Sequence, residues 1–252
     1  MKPFAFLKKE LKEILRTPKI FILPTIFLIF GFASPLLAKS MPELLKALVS
    51  DFPILVKEPT YVDSYAQFFK NMGQIGIIVV ILTFMSSIVE EKVKGSAILV
   101  LTKRVSRTQF IVSKLAAALL LFTGAYILAS AACIYYTYLL FPVFYSSGMI
   151  EAFFLFWMYG VFILCTTMLA STVARSHTMA AVLAFLIFAL MSAGSAIPRV
   201  GEYFPSYLGS VNMQILVGSK NWSDAVASLL SAALVSIMMV AATIQIFKRQ
   251  EI

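Results

Sequence analysis

The sequence predicts an all-α, polytopic membrane protein, and three observations predict it. Six stretches, 20–38, 72–89, 115–141, 152–174, 178–197 and 225–247, contain no Asp, Glu, Lys or Arg. An apolar run of about 18 or more residues is long enough to cross the hydrocarbon core as a helix. The whole chain of 252 residues is 60% hydrophobic and 13% charged, against about 45–50% and about 25% for a soluble domain. Its cations are also unevenly placed. If the N-terminus is cytoplasmic, the inner segments hold 15 of the 21 Lys and Arg: six in 1–19, six in 90–114, then Arg175, Lys248 and Arg249. Of the other six, four lie in 39–71, where four acids balance them. That is a positive-inside bias, with both termini cytoplasmic.

These observations bound the organisation and the function. Residues 1–252 form one transmembrane domain with no room for a second globular one. The net charge of +9 is explained by topology, so no nucleic-acid partner is expected. A cleavable signal peptide is not expected, because the first apolar run begins after a charged stretch of nineteen residues and is itself span-length. Cys133 and Cys165 fall inside spans and read as small buried hydrophobes rather than a disulfide framework. The single histidine, His177, reads as a solvated loop residue and excludes any site that needs a histidine pair.

Within 1–19, Phe4, Leu7, Leu11 and Ile14 recur at spacings of three and four, with Lys8, Lys9, Lys12 and Arg16 on the other side. This predicts an amphipathic helix lying in the membrane plane with its cations near anionic headgroups. Pro18 disfavours helical geometry at Thr17 and lets the chain bend into the first span. After that span, Ser40 and Glu43 read as a capping box opening a short helix over 41–50. Tyr61, Tyr65, Phe68 and Phe69 read as an interfacial aromatic belt leading into the second span. Trp157 and Trp222 lie near the outer ends of the fourth and sixth spans. Arg175, Ser176 and His177 alone join the fourth and fifth spans, which must form a tight antiparallel hairpin. Segment 198–224, with Pro198, Gly201, Pro205 and Gly209, reads as an outer broken segment whose Tyr203, Phe204 and Tyr207 touch or enter the membrane surface. In the sixth span Ser228, Ala232 and Ser236 recur every four residues. They read as a close-packing stripe, with a polar substrate stripe as the alternative.

The most informative segment is 90–114. Glu90 through Gly95 continues the second span into water. Residues 97–101 are an apolar run of five outside any span. Thr102 to Val105 make a turn. Ser106 with Gln109 reads as a capping box opening the helix that enters the third span. An apolar tip bordered by cations is the signature of a docking surface for a protein partner. Two carboxylates at an inner boundary, Glu90 and Glu91, gain nothing from the charge bias and predict partners. Those in reach are Lys94, one helical turn away, and cations of the N-terminal helix such as Lys12 or Arg16. The latter are the preferred partners.

An acidic pair at the end of the second span, a glycine soon after, a Leu-rich run, then Thr102-x-x-Val105-Ser106-Arg107 and Lys114 resemble the type-2 ABC-transporter permease family. Six spans, an in-plane N-terminal helix and a broken segment before the last span are similar too. The chain departs from the family in having Arg104 where a proline often stands. The resemblance implies a permease subunit of an ATP-driven exporter in a prokaryotic cell membrane. It also implies that Glu90, Glu91, Gly95, Leu99, Thr102, Arg104, Val105, Ser106 and Arg107 form a cytoplasmic coupling hairpin for a separate ATPase, and that a second permease copy completes the path. The chain itself has no Gly-x-x-x-x-Gly-Lys-Ser/Thr loop, so ATP and Mg are expected in the partner, with no cofactor, metal or catalytic residue here. No acidic or basic side chain sits at mid-span, which argues against ion-coupled carriage. Two other classes remain open. One is a membrane anchor that recruits a cytosolic partner without transporting. The other is an intramembrane enzyme, for which Glu90-Glu91 offers a Glu-Glu start but Gly95 and a lone histidine offer nothing further.

Overall fold

The computed structural model describes residues 3–48, 58–95 and 105–250. Among them every regular element is helical, and six helices are long and apolar enough to cross a membrane. The chain is therefore an all-helical, multi-pass membrane protein. Helix α1 (Pro3–Arg16) is followed by α2 (Lys19–Leu48). The second span runs without interruption by loop from Tyr61 to Val93. It consists of α3 (Tyr61–Asn71), a π-helical turn (Met72–Gly76), α4 (Ile77–Phe84) and α5 (Ser86–Val93). Then come α6 (Arg107–Leu140), α7 (Met149–Val173) and α8 (His177–Ser195). Two short 3₁₀ turns (Gly201–Tyr203 and Pro205–Tyr207), α9 (Leu208–Leu216) and α10 (Trp222–Arg249) complete the chain.

Local chemistry accounts for the boundaries. Helix α1 stops where expected, at Thr17, whose backbone N–H and hydroxyl both donate to the Ile14 carbonyl just before Pro18. Asp63 accepts from the Thr60 backbone N–H and so caps α3. Ser176 Oγ accepts from the Met179 N–H and caps α8. Gly95, at φ +68°, ends the helical exit of the second span, because a left-handed residue at that point is cheapest as glycine.

Packing is centred on α7, the most buried span, with α8 the least. Helix α2 runs along α6. Gly31 makes this approach possible, since a Cβ there would lie 2.5 Å from the Ala129 carbonyl oxygen. Helix α10 lies along α7 through Ser228, Ala232, Ser236, Met239 and Thr243, all buried. The four-residue stripe is thus a packing face, as the spacing predicts.

Three expectations are corrected. Ser40 does not open a new helix: α2 continues to Leu48 through Pro42, and the Ser40 hydroxyl donates back to the Leu36 carbonyl one turn earlier. Tyr65, Phe68 and Phe69 are not an interfacial belt. They are buried, ring against ring, with Phe153, Phe156 and Tyr126, and the Tyr65 hydroxyl donates to the Phe144 carbonyl. The sequence alone does not tell an aromatic facing headgroups from one facing a neighbouring span. The broken segment turns into the protein rather than to the membrane surface: Phe204 packs against Gly194 of α8, and Tyr207 is buried with its hydroxyl accepting from Lys220. Tyr203 is exposed, but Leu208, Val211 and Asn212 of α9 are fully buried against α7. Cys133 and Cys165 are buried and unbridged, as expected.

Candidate functional site

The two stems of the 90–114 segment meet at the end of the bundle that also holds α1 and the C-terminal turn of α10. Three phenylalanines mark the place. Phe110, in the first turn of α6, stacks on Phe247 at the end of α10, with ring centroids 5.0 Å apart and planes 3° off parallel. Its other side meets Phe6 of α1 at 5.8 Å. All three rings are buried.

Beside this stack lies a buried charge cluster. Lys114, on α6, sits 2.9 Å from Glu10 of α1 and 2.5 Å from Glu91 of α5. The side chains of Lys114 and Glu10 are only 6% and 5% exposed. An isolated charge at such burial is expensive, so each holds the other in place. Lys9 joins the cluster from the next position of α1, at 3.0 Å from Glu10, 2.7 Å from Glu13 and 3.9 Å from Glu91. Burial opposes the charge on Lys9. The Glu13 hydrogen bond and the fields of Glu10 and Glu91 outweigh it, so Lys9 titrates above the ordinary lysine range. For Glu13, burial pushes upward, and the Lys9 hydrogen bond with the fields of Lys114, Lys9 and Lys19 brings it below its ordinary value. One carboxylate oxygen each of Glu10, Glu13 and Glu91 lies within 4.8 Å of the other two. With Lys114 and Lys9 among them, the donor set is already neutralised by ammonium groups and is a poor cation site.

The acidic pair therefore splits. Glu91 turns inward to Lys114 and Lys9, whereas Glu90 turns outward to Lys94 at 2.7 Å. The expected link from this pair to α1 exists, but through Lys9 and, by way of Lys114, Glu10. Lys12 and Arg16 are exposed and take no part in it. Burial follows the i, i+4 row Phe6, Glu10, Ile14, so Glu10 stands on the apolar stripe rather than the polar side.

Each stem also grips a neighbouring helix end. Ser171 Oγ of α7 accepts from the backbone N–H groups of Ile88 and Val89, which the break at Met85 leaves near the start of α5. Lys92 donates to the Thr172 and Ala174 carbonyls at the C-terminus of α7. Arg107 Nη1 donates to the carbonyls of Phe247, Lys248 and Gln250 at 3.1, 2.7 and 2.8 Å. Both cations occupy the end of a helix where unpaired carbonyls accumulate negative partial charge. Gln250 completes the junction by donating to Thr172 O.

The structure thus brings Glu91, Val105, Ser106 and Arg107 to one place, and leaves Glu90 and Gly95 on its rim. Val105 is buried. Ser106 Oγ accepts from the Gln109 N–H and caps α6, but the Gln109 amide does not return the bond, so the expected box is half formed. Leu99, Thr102 and Arg104 lie outside the described residues. Sequence reasoning included Lys9 among the α1 cations without singling it out, and missed Glu10 and Lys92. The signal for Glu10 was available as an acid four residues after Phe6 and four before Ile14, on a helix row otherwise apolar. Lys92 offered no such signal.

No family model matches the chain. The chain is 25% identical over 252 residues to the uncharacterized transmembrane protein YxlG of Bacillus subtilis (strain 168), covering 98% of this chain and 97% of that protein.

Proposed function

We propose that this membrane protein is the spanning subunit of an ATP-driven ABC transporter, an exporter, and that residues 90–107 couple it to a separate ATPase. The observation that carries the reading is the wiring of the two hairpin stems. Lys92 holds the end of α7, Arg107 holds the end of α10, and Lys114 with Glu91 holds α1. A force that enters the two stems would reach three other elements through these contacts. A solvated turn serving only as a positive charge marker would need none of these contacts. ATP and Mg bind in the partner, and this chain contributes no catalytic group. The outward faces of α2 and α8 are apolar, with Phe21, Ile29, Val182, Leu186 and Leu190 exposed. They suit lipid and a second copy of the permease. The protein sits in a prokaryotic plasma membrane with the wired end in the cytoplasm.

The test is recovery of an ATPase. Full-length protein purified from its native membrane should bring down a partner that hydrolyses ATP. Leu99→Asp should abolish that recovery while insertion persists, because a charge buried without a partner costs several kcal/mol, roughly a thousandfold in affinity. Recovery of a partner without ATPase activity would favour the non-transporting anchor. Unchanged recovery with Leu99→Asp would show that the apolar run is not the docking surface.

A further inference from the structure

Next to the charge cluster is a cavity of about 250 Å³ between α1, the start of α2, α5 and α6. Its floor is apolar, with Ile14, Phe84 and Ala118, and its walls carry four lysines and four glutamates. Three of the lysines are matched inside the protein: Lys9 with Glu13, Lys94 with Glu90, and Lys114 with Glu10 and Glu91. Lys19 is different. It is partly buried, its ammonium donates to Ser86 Oγ at 3.0 Å, and it forms no ion pair among the described residues. An ammonium has three donors, so the Ser86 bond uses one and leaves two for a ligand in the cavity that Lys19 lines. The Ser86 hydroxyl, having accepted from Lys19, still has its own proton to donate, and the Ser87 hydroxyl lines the same cavity.

The depth of the cavity identifies the environment. It lies where the amphipathic α1 meets the first residue of the first span and the last turns of the second. That is the level at which a bilayer places its phosphate groups. Phe21 and Ile22, just beyond Lys19 on α2, are exposed and apolar, so an acyl chain could run along α2 from the cavity mouth.

We propose that this cavity binds the headgroup of a zwitterionic, amine-bearing phospholipid from the leaflet on the side of the two termini. Lys19, Ser86 and Ser87 take the phosphate. Charge-assisted donation to a phosphate oxygen is the natural use of an ammonium that has no carboxylate of its own. Glu13 and Glu90, partly exposed with side chains 47% and 38% accessible, each pair with a lysine through one carboxylate oxygen, Oε2 of Glu13 to Lys9 and Oε1 of Glu90 to Lys94, and the second oxygen of each is the acceptor for the headgroup amine. A wall with equal numbers of cations and anions favours a headgroup that carries both signs over one that is only negative. This assignment does not depend on the identity of any protein partner.

Native mass spectrometry of the full-length, delipidated protein tests it. The probes are phosphatidylethanolamine, phosphatidylglycerol and diacylglycerol with matched acyl chains, and inorganic phosphate. Phosphatidylethanolamine should bind most tightly. Lys19→Gln should weaken it roughly tenfold, the loss of one charge-assisted hydrogen bond. Lys19→Arg should retain most of the affinity and reports that the site still folds, and Lys39→Gln, at the opposite end of the bundle, should change nothing. Unaltered binding in Lys19→Gln, or diacylglycerol binding equal to phosphatidylethanolamine, would remove the phosphate from the proposal. Equal affinity for phosphatidylglycerol would overturn the choice of headgroup. Inorganic phosphate that displaces the lipid at comparable concentration would overturn the lipid as the source.

Discussion

Glu90 and Glu91 are neighbours in sequence with opposite consequences. Glu91 is held by a buried lysine and Glu90 by an exposed one, and burial decides what each is worth. Glu90→Gln should leave the thermal midpoint of the purified protein nearly unchanged, because its pair with Lys94 is screened by solvent. Glu91→Gln should lower it, and Lys114→Ala should lower it further. Lys114→Ala leaves two buried carboxylates against each other, for which a loss of about 3–5 kcal/mol is expected. The triple change Lys114→Met, Glu10→Gln, Glu91→Gln should recover most of that loss, since it removes the charges together. A midpoint for Lys114→Ala equal to the parent's would mean the cluster contributes no stability. The same residues set a pH dependence. Glu13 titrates below its ordinary 4.5, so its contribution is complete above that pH and is lost as pH falls further. Lys9 titrates above its ordinary 10.5, so its contribution is complete below that pH and is lost as pH rises further. Attachment of α1, followed by amide exchange of residues 6–16, should therefore be flat between these limits and loosen outside them.

At the scale of elements, contacts between helix ends matter more than helix propensity. Arg107, which the family resemblance places among contacts to an ATPase, donates into the last turn of α10. Arg107→Ala removes the donor from three carbonyls and should fray that turn, seen as faster amide exchange over 244–250 with the rest of α10 unchanged. Unchanged exchange would mean the carbonyls find other partners at no cost. A different constraint acts at the middle of the bundle. Gly31 faces the Ala129 backbone too closely for a Cβ. Gly31→Ala must separate α2 from α6, and a destabilisation of about 1–3 kcal/mol is expected from overpacking. Gly124→Ala, on α6 with open space around it, is the matched control and should be neutral or mildly stabilising.

For the whole molecule, the six candidate spans among the described residues and the Phe6, Phe110, Phe247 stack put α1 and the C-terminal turn of α10 on one side of the bundle. The basic excess of that side then predicts which compartment it faces. With Cys133 and Cys165 replaced, single cysteines at Arg249 and Ser219, both exposed positions at opposite ends, should label oppositely. An impermeant thiol reagent on intact cells should reach position 219 and not 249. The reverse pattern would invert the topology and with it the proposed cytoplasmic coupling.

The sequence by itself determined the fold class, the six spans, the separate amphipathic N-terminal helix, the bend at Thr17 and the packing stripe on the last span. These follow from periodicity, length and local backbone chemistry, all carried by residues close together in the chain. It also marked 90–114 as the segment to inspect, and Glu90 and Glu91 as acids in need of partners. Only the tertiary structure decided which partners they took. Glu10, Glu91 and Lys114 come from three helices far apart in sequence, and no spacing rule relates them. The same holds for Tyr65, Phe68 and Phe69, which composition assigns to an interface and packing places in the core. In a membrane the apolar residues of a span look alike whether they face lipid or protein, because both are apolar. Which side is buried is settled by shape and by the few polar groups that must find each other away from water.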